Sequence, residues 1–443
     1  MPPGDENSEK SGSRTRSTLW GAACLWVPTL YFAQGLPNTL VDQIAPVFLK
    51  DLRLDNALIT AIGAWAYLPW TLKALWSPLV DGFGKKRAWI VSMQLAVSGA
   101  LVALALAIAL FAGSAAFPWL AVGALALIAA ASATHDIAAD GFYMLALDSG
   151  GQAIFSGVRS TFFRLAGIFG KGGIIALAGA FIASGDVPGV AWTKIVFALA
   201  GLIALIAATH FFVLPRPACD VPAARSGNAF ANFAETWRSF FRKKELGTLV
   251  AFLLIYRLGE VQLGAVSSLF FKDSAEFGGL GIGNIELGIL SGTLGTGALL
   301  AGGIVAGICV AWRGLKFWLW TMLVLLNLPD LIYVAFAHWR PENSVLLGGG
   351  IAAEQFGYGF GFTGYMLYML FACREGAHRV AHYAICTGIM ALGAMLPRFW
   401  CGALQDFLGY EAFFGWAILC GVPAFFVVRR AMKSIPADFG RKK

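Results

Sequence analysis

Residues 88–134 read AWIVSMQLAVSGALVALALAIALFAGSAAFPWLAVGALALIAAASAT, 47 consecutive positions without Asp, Glu, Lys or Arg. A helix rises about 1.5 Å per residue, so roughly 20 apolar residues cross the ~30 Å hydrocarbon core of a bilayer, and this run is about twice that long. It therefore reads as two membrane spans with a turn between them, and Gly113, Ser114 and Phe117-Pro118 supply the turn. The same texture continues outward: apolar stretches recur from Trp20 to Val428, and of the 443 residues 58% are hydrophobic while 13% are charged. Soluble domains carry about a quarter charged residues, so a water-soluble enzyme is excluded. The chain is expected to be an all-α polytopic membrane protein.

Charges and Gly/Pro punctuation divide it into twelve candidate spans at 19–48, 57–80, 88–112, 117–146, 154–184, 191–214, 247–271, 284–311, 317–338, 345–372, 380–404 and 412–430. The basic residues test this count. With an inside N-terminus, 22 of the 33 Lys and Arg fall on the inner side, five (Lys50, Arg53, Lys194, Lys272, Arg340) fall outside and the rest lie within spans. This bias places both termini in the cytoplasm and accounts for the net charge of +8 without a nucleic-acid partner. The expected organisation is a cytoplasmic tail over 1–18, a six-helix bundle over 19–214, a cytoplasmic linker over 215–246, a second six-helix bundle over 247–430 and a cytoplasmic tail over 431–443. Six plus six spans with a long middle loop is the pattern of the major facilitator fold, whose halves rock about a central site.

In the linker, Phe230, Phe233, Trp237, Phe240 and Phe241 fall at helical spacing opposite Arg238, Arg242, Lys243 and Lys244. An amphipathic helix on the inner membrane surface and a linker helix packed on the bundles both fit this pattern. The polar residues 1–18 lead into a stretch too long for a signal-peptide core, so it reads as the first span. Seven cysteines without a CxxC spacing read as free thiols, with neither a disulfide framework nor a metal site.

Charges at bilayer depth are costly, so each one is a functional candidate. Asp136 and Asp140, four apart on span 4, share a face with the inner end of span 5, which bears Arg159 and Arg164. Asp140 with Arg159 reads as a brace; Asp136 with Arg164, one turn deeper, reads as a coupling or gating pair, with His135 a hydrogen-bonded structural neighbour. Arg257 and Glu260 lie mid-span in the seventh span and Glu354 in the tenth. A carboxylate that alternates between an Arg-paired and an unpaired buried environment takes up and releases a proton. Glu260, Asp136, Glu354 and Asp140 are therefore the proton-coupling candidates. Lys171 and Arg398, one cation in each half, are suited to an anionic substrate; Asp42, Asp330 and Lys73 have less certain depth.

Gly303 and Gly307 form a GxxxG pair in span 8, and Gly167, Gly170, Gly172 and Gly173 line span 5, as close helix packing requires. Gln34-Gly35-Leu36-Pro37 is expected to interrupt the first span. Phe356, Tyr358, Phe360, Phe362 and Tyr365 interleave with glycines in span 10, forming an aromatic wall able to stack on sugar rings.

These residues resemble the anhydromuropeptide permease (AmpG-like) family of the major facilitator superfamily, which is itself similar to the acetyl-CoA transporters. The resemblance runs from Tyr31-Phe32-Ala33-Gln34-Gly35-Leu36-Pro37 to the last spans. Its most specific parts are Lys73-Ala74-Leu75-Trp76-Ser77-Pro78-Leu79-Val80-Asp81, similar to the family's K-x-L-W-S-P-L-x-D, and His135-Asp136-Ile137-Ala138-Ala139-Asp140-Gly141, similar to its Q-D-I-x-x-D. Arg164-Leu165-Ala166-Gly167, Tyr256-Arg257-Leu258-Gly259-Glu260, Glu354-Gln355 and Arg398 also fall where the family has similar residues. The sequence departs from the pattern at His135 for Gln, Glu260 for Asp and Gln355 for Asn.

The resemblance implies a secondary active transporter in the inner membrane of a bacterium. It would import peptidoglycan-derived muropeptides, or smaller amino sugars such as N-acetylmuramic acid, with protons. The alternative is the same fold carrying acetyl-CoA, a drug or another organic anion. Arg164, Lys171, Arg257, Arg398, Gln34, Gln355 and Tyr358 are the substrate-binding candidates. Asp81, Lys85, Lys86, Arg87, Arg159, His135 and Lys73 are the gating or structural ones. No nucleophile–base–orienter set or metal-ligand cluster appears, so neither an enzyme nor a cofactor is expected, and the chain is expected to act as a monomer.

Overall fold

Backbone amides find no water in hydrocarbon, so an apolar chain satisfies them within helices. The computed structural model describes the backbone of residues 6–147, 149–221, 235, 237–374 and 379–441. Side chains are described from Ala23 onward except at 74, 78, 81, 82, 149, 150, 152–154, 156 and 379–381. All regular structure among the described residues is helical. The first half contains α1 (Glu6–Thr39), α2 (Ala45–Asp51), α3 (Asn56–Gly82), α4 (Lys86–Phe111), α5 (Phe117–Ala146), α6 (Ser149–Gly167), α7 (Ile175–Ala183) and α8 (Pro188–Val213). The second contains α9 (Leu246–Ile255), α10 (Leu258–Lys272), α11 (Asn284–Leu287), α12 (Thr296–Arg313), α13 (Leu315–Asn327), α14 (Leu331–Trp339), α15 (Ser344–Cys373), α16 (Arg379–Met395), α17 (Arg398–Leu408) and α18 (Tyr410–Ala431). Among the described residues, nine helical stretches are long and apolar enough to cross a membrane.

Several spans are less regular than their periodicity predicts. The helix begins at Glu6, inside the expected tail, and runs unbroken through Gln34–Pro37; the expected interruption there is absent. The irregularity falls three residues later, where Leu40–Ile44 widen into a π-helical turn between α1 and α2. Ile168–Ile174 join α6 to α7 and Gly288–Gly295 join α11 to α12 in the same way. Three spans expected to be continuous are broken. A 3-10 turn at Leu328–Asp330 separates α13 from α14, and Pro397 separates α16 from α17. Pro329 and Pro397 lack the amide that would continue the helix and crowd the preceding turn. Between α9 and α10 no proline is present; the break falls at Tyr256–Arg257.

The two halves share a hydrophobic core at one end and hold separate cores at the other. A single hydrophobic core at the end bearing Asp51 and Lys272 draws on both halves, including Phe48, Trp192, Phe270 and Tyr410. At the opposite end, where the halves are linked through residues 214–246, the core divides: one cluster holds Trp26, Tyr31 and Phe142, the other Phe252, Tyr256, Tyr365 and Tyr368.

Glycines allow the joined end to close. A Cβ on Gly292 would lie 2.5 Å from the Gly172 Cα, one on Gly288 2.7 Å from the Gly172 carbonyl oxygen, and one on Gly179 2.6 Å from the Ile285 amide nitrogen. No side chain fits there, and the π turns of the two halves touch backbone to backbone. Of the GxxxG pair, Gly303 lies at the close approach of α12 to α15, together with Gly302 and Gly359, whereas a Cβ on Gly307 would meet nothing within 4 Å.

In the linker, Phe230 and Phe233 lie outside the described residues. Residues 237–241 are helical, Phe240 is fully buried, the Ser239 hydroxyl is 2.9 Å from His382 Nε2, and Lys243 Nζ donates to the Ala372 carbonyl at 3.0 Å. This described part packs on the second half, as the linker-helix alternative expects.

Candidate functional site

Midway between the joined and parted ends, the helix irregularities collect ionisable side chains. Asp42 sits in the first π turn and accepts from Arg398, the first residue of α17, at 2.5 Å from Nη2 to Oδ1; Gln43 Nε2 donates to the other oxygen at 2.7 Å. The Arg398 guanidinium also stands over the Tyr67 ring, 5.3 Å from its centroid. The pair ties the first half to the second. Arg398, expected as an anion-binding cation, is thus ion-paired with Asp42, a residue set aside on uncertain depth.

Arg257 occupies the α9–α10 break. It forms a 2.9 Å ion pair with Glu260, with only 14% and 11% of the two side chains exposed. Glu260 lies in the first turn of α10, where the positive end of the helix favours an anion. Arg257 Nη2 also donates to the Tyr358 hydroxyl at 3.0 Å, and its guanidinium lies 4.8 Å from the Phe362 ring centroid and 5.9 Å from that of Tyr365. These members of the span-10 aromatic wall grip an arginine within the protein and so are oriented inward.

Glu354, buried, accepts from Gln355 at 2.9 Å and from the Tyr333 hydroxyl at 3.4 Å. Lys171, in the second π turn, is half-buried and within electrostatic reach of Glu354 and Asp42. Among the described residues it makes no ion pair within 4 Å, leaving its ammonium available to an anion.

Nearer the parted end, Asp140 pairs with Arg159 at 2.9 Å and accepts from Tyr31 at 3.2 Å, as the brace reading expects. The expected Asp136–Arg164 pair is absent. Asp136 faces Lys73 of α3 at 3.5 Å, with Gln34 beside it, while Arg164 is exposed. Side chains on α5 reach α3 more directly than α6 at this level, which gives Lys73 a partner. His135 is buried against Gln94 at 3.0 Å; Gln94 also bonds His210, which in turn bonds Thr29 at 2.9 Å. The side chain of Asp81 lies outside the described residues. Lys85 is exposed, whereas the Lys86 and Arg87 amides donate to the buried Asp220 carboxylate at 2.7 and 3.1 Å, fastening the start of the linker to the head of α4.

The joined end carries a reciprocal lock that sequence reading counted only as loop charges. Lys50 pairs with Asp273 and Lys272 with Asp51, both at 2.6 Å. Asn56 donates to Asp273 at 3.1 Å and accepts from Lys50 at 2.7 Å; Asn284 donates to Asp51 and accepts from Lys272, both at 2.6 Å. Trp192 Nε1 completes the Asp51 set at 2.8 Å, and the Tyr410 hydroxyl the Asp273 set at 2.5 Å. Each half contributes a Lys-Asp dipeptide and an asparagine that opens the next helix. The signal was present in the repeated Lys50-Asp51 and Lys272-Asp273.

Comparisons with known proteins agree with this geometry. The acetyl-coenzyme A transporter 1 family model matches residues 24–151. An AmpG-type transporter of Rickettsia conorii is 25% identical over 417 residues, covering 90% of this chain and 94% of its own. The anhydromuropeptide permease of Escherichia coli is 22% identical over 402 residues, covering 89% and 76%. In fold, the chain is similar to a D-xylose-proton symporter (TM-score 0.68, 14% identity, 96% and 99% covered). It is equally similar to a bacterial homologue of the lysosomal transporter Spinster in an inward-facing, unoccupied conformation (0.67, 15%, 94% and 97%). In sequence the chain is thus similar to the AmpG-like permeases, and it shares the fold of these solved transporters, with several helices long and apolar enough to cross a membrane.

Proposed function

We propose that this protein is a proton-coupled importer of anionic amino sugars or muropeptides released from peptidoglycan, acting as a monomer of twelve spans in a bacterial inner membrane with both termini in the cytoplasm. The observation that carries this reading is the mid-depth cluster: Lys171, with no ion pair within 4 Å among the described residues, lies within electrostatic reach of Glu354 and the Asp42–Arg398 pair, with Arg257–Glu260 in the same layer. A sugar acid offers a carboxylate to Lys171, and its rings offer faces to the aromatic side chains around Arg257. Placing a substrate anion beside Lys171 changes the field on Glu354 and Glu260, so substrate binding and proton occupancy are linked. The joined end faces outward, so the halves part toward the cytoplasm and the conformation is inward-facing.

Uptake of radiolabelled N-acetylglucosaminyl-anhydro-N-acetylmuramic acid into proteoliposomes, with and without an imposed inward proton gradient, tests the reading. Gradient-dependent accumulation that unlabelled N-acetylmuramic acid reduces is expected. No uptake by folded protein rejects this cargo. The family match over residues 24–151 favours acetyl-CoA as the second reading, and competition by acetyl-CoA alone would support it.

A further inference from the structure

Asp330 takes part in none of the contacts above. It lies in the 3-10 turn between α13 and α14, is 0% exposed, and neither carboxyl oxygen meets a hydrogen-bond donor among the described residues. Every other acidic residue in the mid-depth layer is answered: Asp42 by Arg398, Glu260 by Arg257, Glu354 by Gln355 and Tyr333. The titratable groups of neighbouring helices that bear on Asp330 are both acids, Glu354 from α15 and Glu260 from α10. Tyr333, one turn along its own helix, is the remaining titratable neighbour, and α18 brings only the Cys420 thiol to its middle. A carboxylate anion stripped of water and of donors, with acids for neighbours, is strongly disfavoured, whereas the neutral acid fits the same space.

We propose that Asp330 is a proton-binding site of the transport cycle, occupied in this conformation and exchanging its proton with Glu354 past the Tyr333 hydroxyl. The proton leaves the Asp330 carboxyl, the tyrosine receives it while passing its own to Glu354, and Asp330 is left as the anion until the next proton arrives. Net charge in the layer is conserved. The Tyr333 hydroxyl already bonds Glu354, and its helix places it three residues from Asp330. The inference rests on the proton-coupled reading but needs no particular cargo.

Two measurements test it. In proteoliposomes, Asp330→Asn is expected to keep exchange of labelled for unlabelled substrate within about twofold and to lose gradient-driven accumulation about tenfold or more. Accumulation equal to the parent protein overturns the proposal. The second readout is the protonated-carboxyl infrared band of the parent protein at neutral pH. It is expected to shift when aspartate carboxyls are labelled with carbon-13 and to shrink in Asp330→Asn. A band indifferent to aspartate labelling overturns the proposal even if the variant does not fold. This band owes nothing to substrate, so the proposal and the cargo assignment fail separately: no uptake of the sugar by the parent protein with the band intact rejects only the cargo.

Discussion

Arg257 and Glu260 show what one buried pair asks of its neighbours. Removing one partner of such a pair leaves an uncompensated charge, so Arg257→Ala is expected to lower stability by about 3–5 kcal/mol, read as a fall in Tm in detergent. Glu260→Gln keeps the shape and a hydrogen bond to Arg257. It is expected to leave the protein folded and exchange intact while abolishing accumulation against a gradient. The cross-half pair gives a cycle: Asp42→Asn and Arg398→Met each impair uptake, and the double variant recovers part of it, with a coupling of about 0.5–3 kcal/mol. Additive losses would show that the two residues act separately. Isolated charges in apolar sequence made Arg257, Glu260, Glu354 and Lys171 legible beforehand. Partners were not, because Asp42 and Arg398 lie 356 residues apart and no local pattern links them. Asp136 was assigned to Arg164 instead of Lys73 for the same reason: helix spacing tells which residues share a face, not which neighbouring helix that face meets.

At the scale of elements, most charged residues of the mid-depth layer sit where helices deviate, Glu354 inside the unbroken α15 being the exception. Asp42 and Lys171 are in π turns, Asp330 is in a 3-10 turn, and Arg257 and Arg398 stand at breaks. Such deviations free backbone groups and mark functional segments. Pro329 and Pro397 are local marks of two of them that the expectation of continuous spans passed over; the π turns depend on tertiary contact and left no comparable mark. Packing of the two π turns at Gly172 and Gly292 makes a further expectation. Gly292→Val places methyl groups where a Cβ is already 2.5 Å from the Gly172 Cα, so the joined end cannot fully close. Spin labels at Val187 and Phe277, both exposed near that end, are expected to report a longer distance in the variant, with transport reduced about tenfold or more. An unchanged distance would show that the contact is not needed for closure.

For the whole molecule, the two Lys-Asp pairs make closure a matter of charge complementarity between halves. Lys50→Asp alone places two acids together and is expected to weaken closure. Adding Asp273→Lys restores opposite charges at the same distance and is expected to recover transport. Failure of the double swap would assign the pairs a role other than closure. The helical class and the presence of membrane-length spans were legible because hydropathy is a chain-long property, averaged over hundreds of residues. The direction in which the halves part was not, since it depends on which end shares a core.

Coupling between sugar and proton is the central claim, and lumenal pH measures it most directly. With a pH-sensitive dye sealed in proteoliposomes at equal pH on both sides, adding N-acetylglucosaminyl-anhydro-N-acetylmuramic acid outside is expected to acidify the lumen through the parent protein. The same addition is expected to leave the pH unchanged through Glu260→Gln. Labelled sugar entering through the parent protein with no change in lumenal pH would contradict proton coupling.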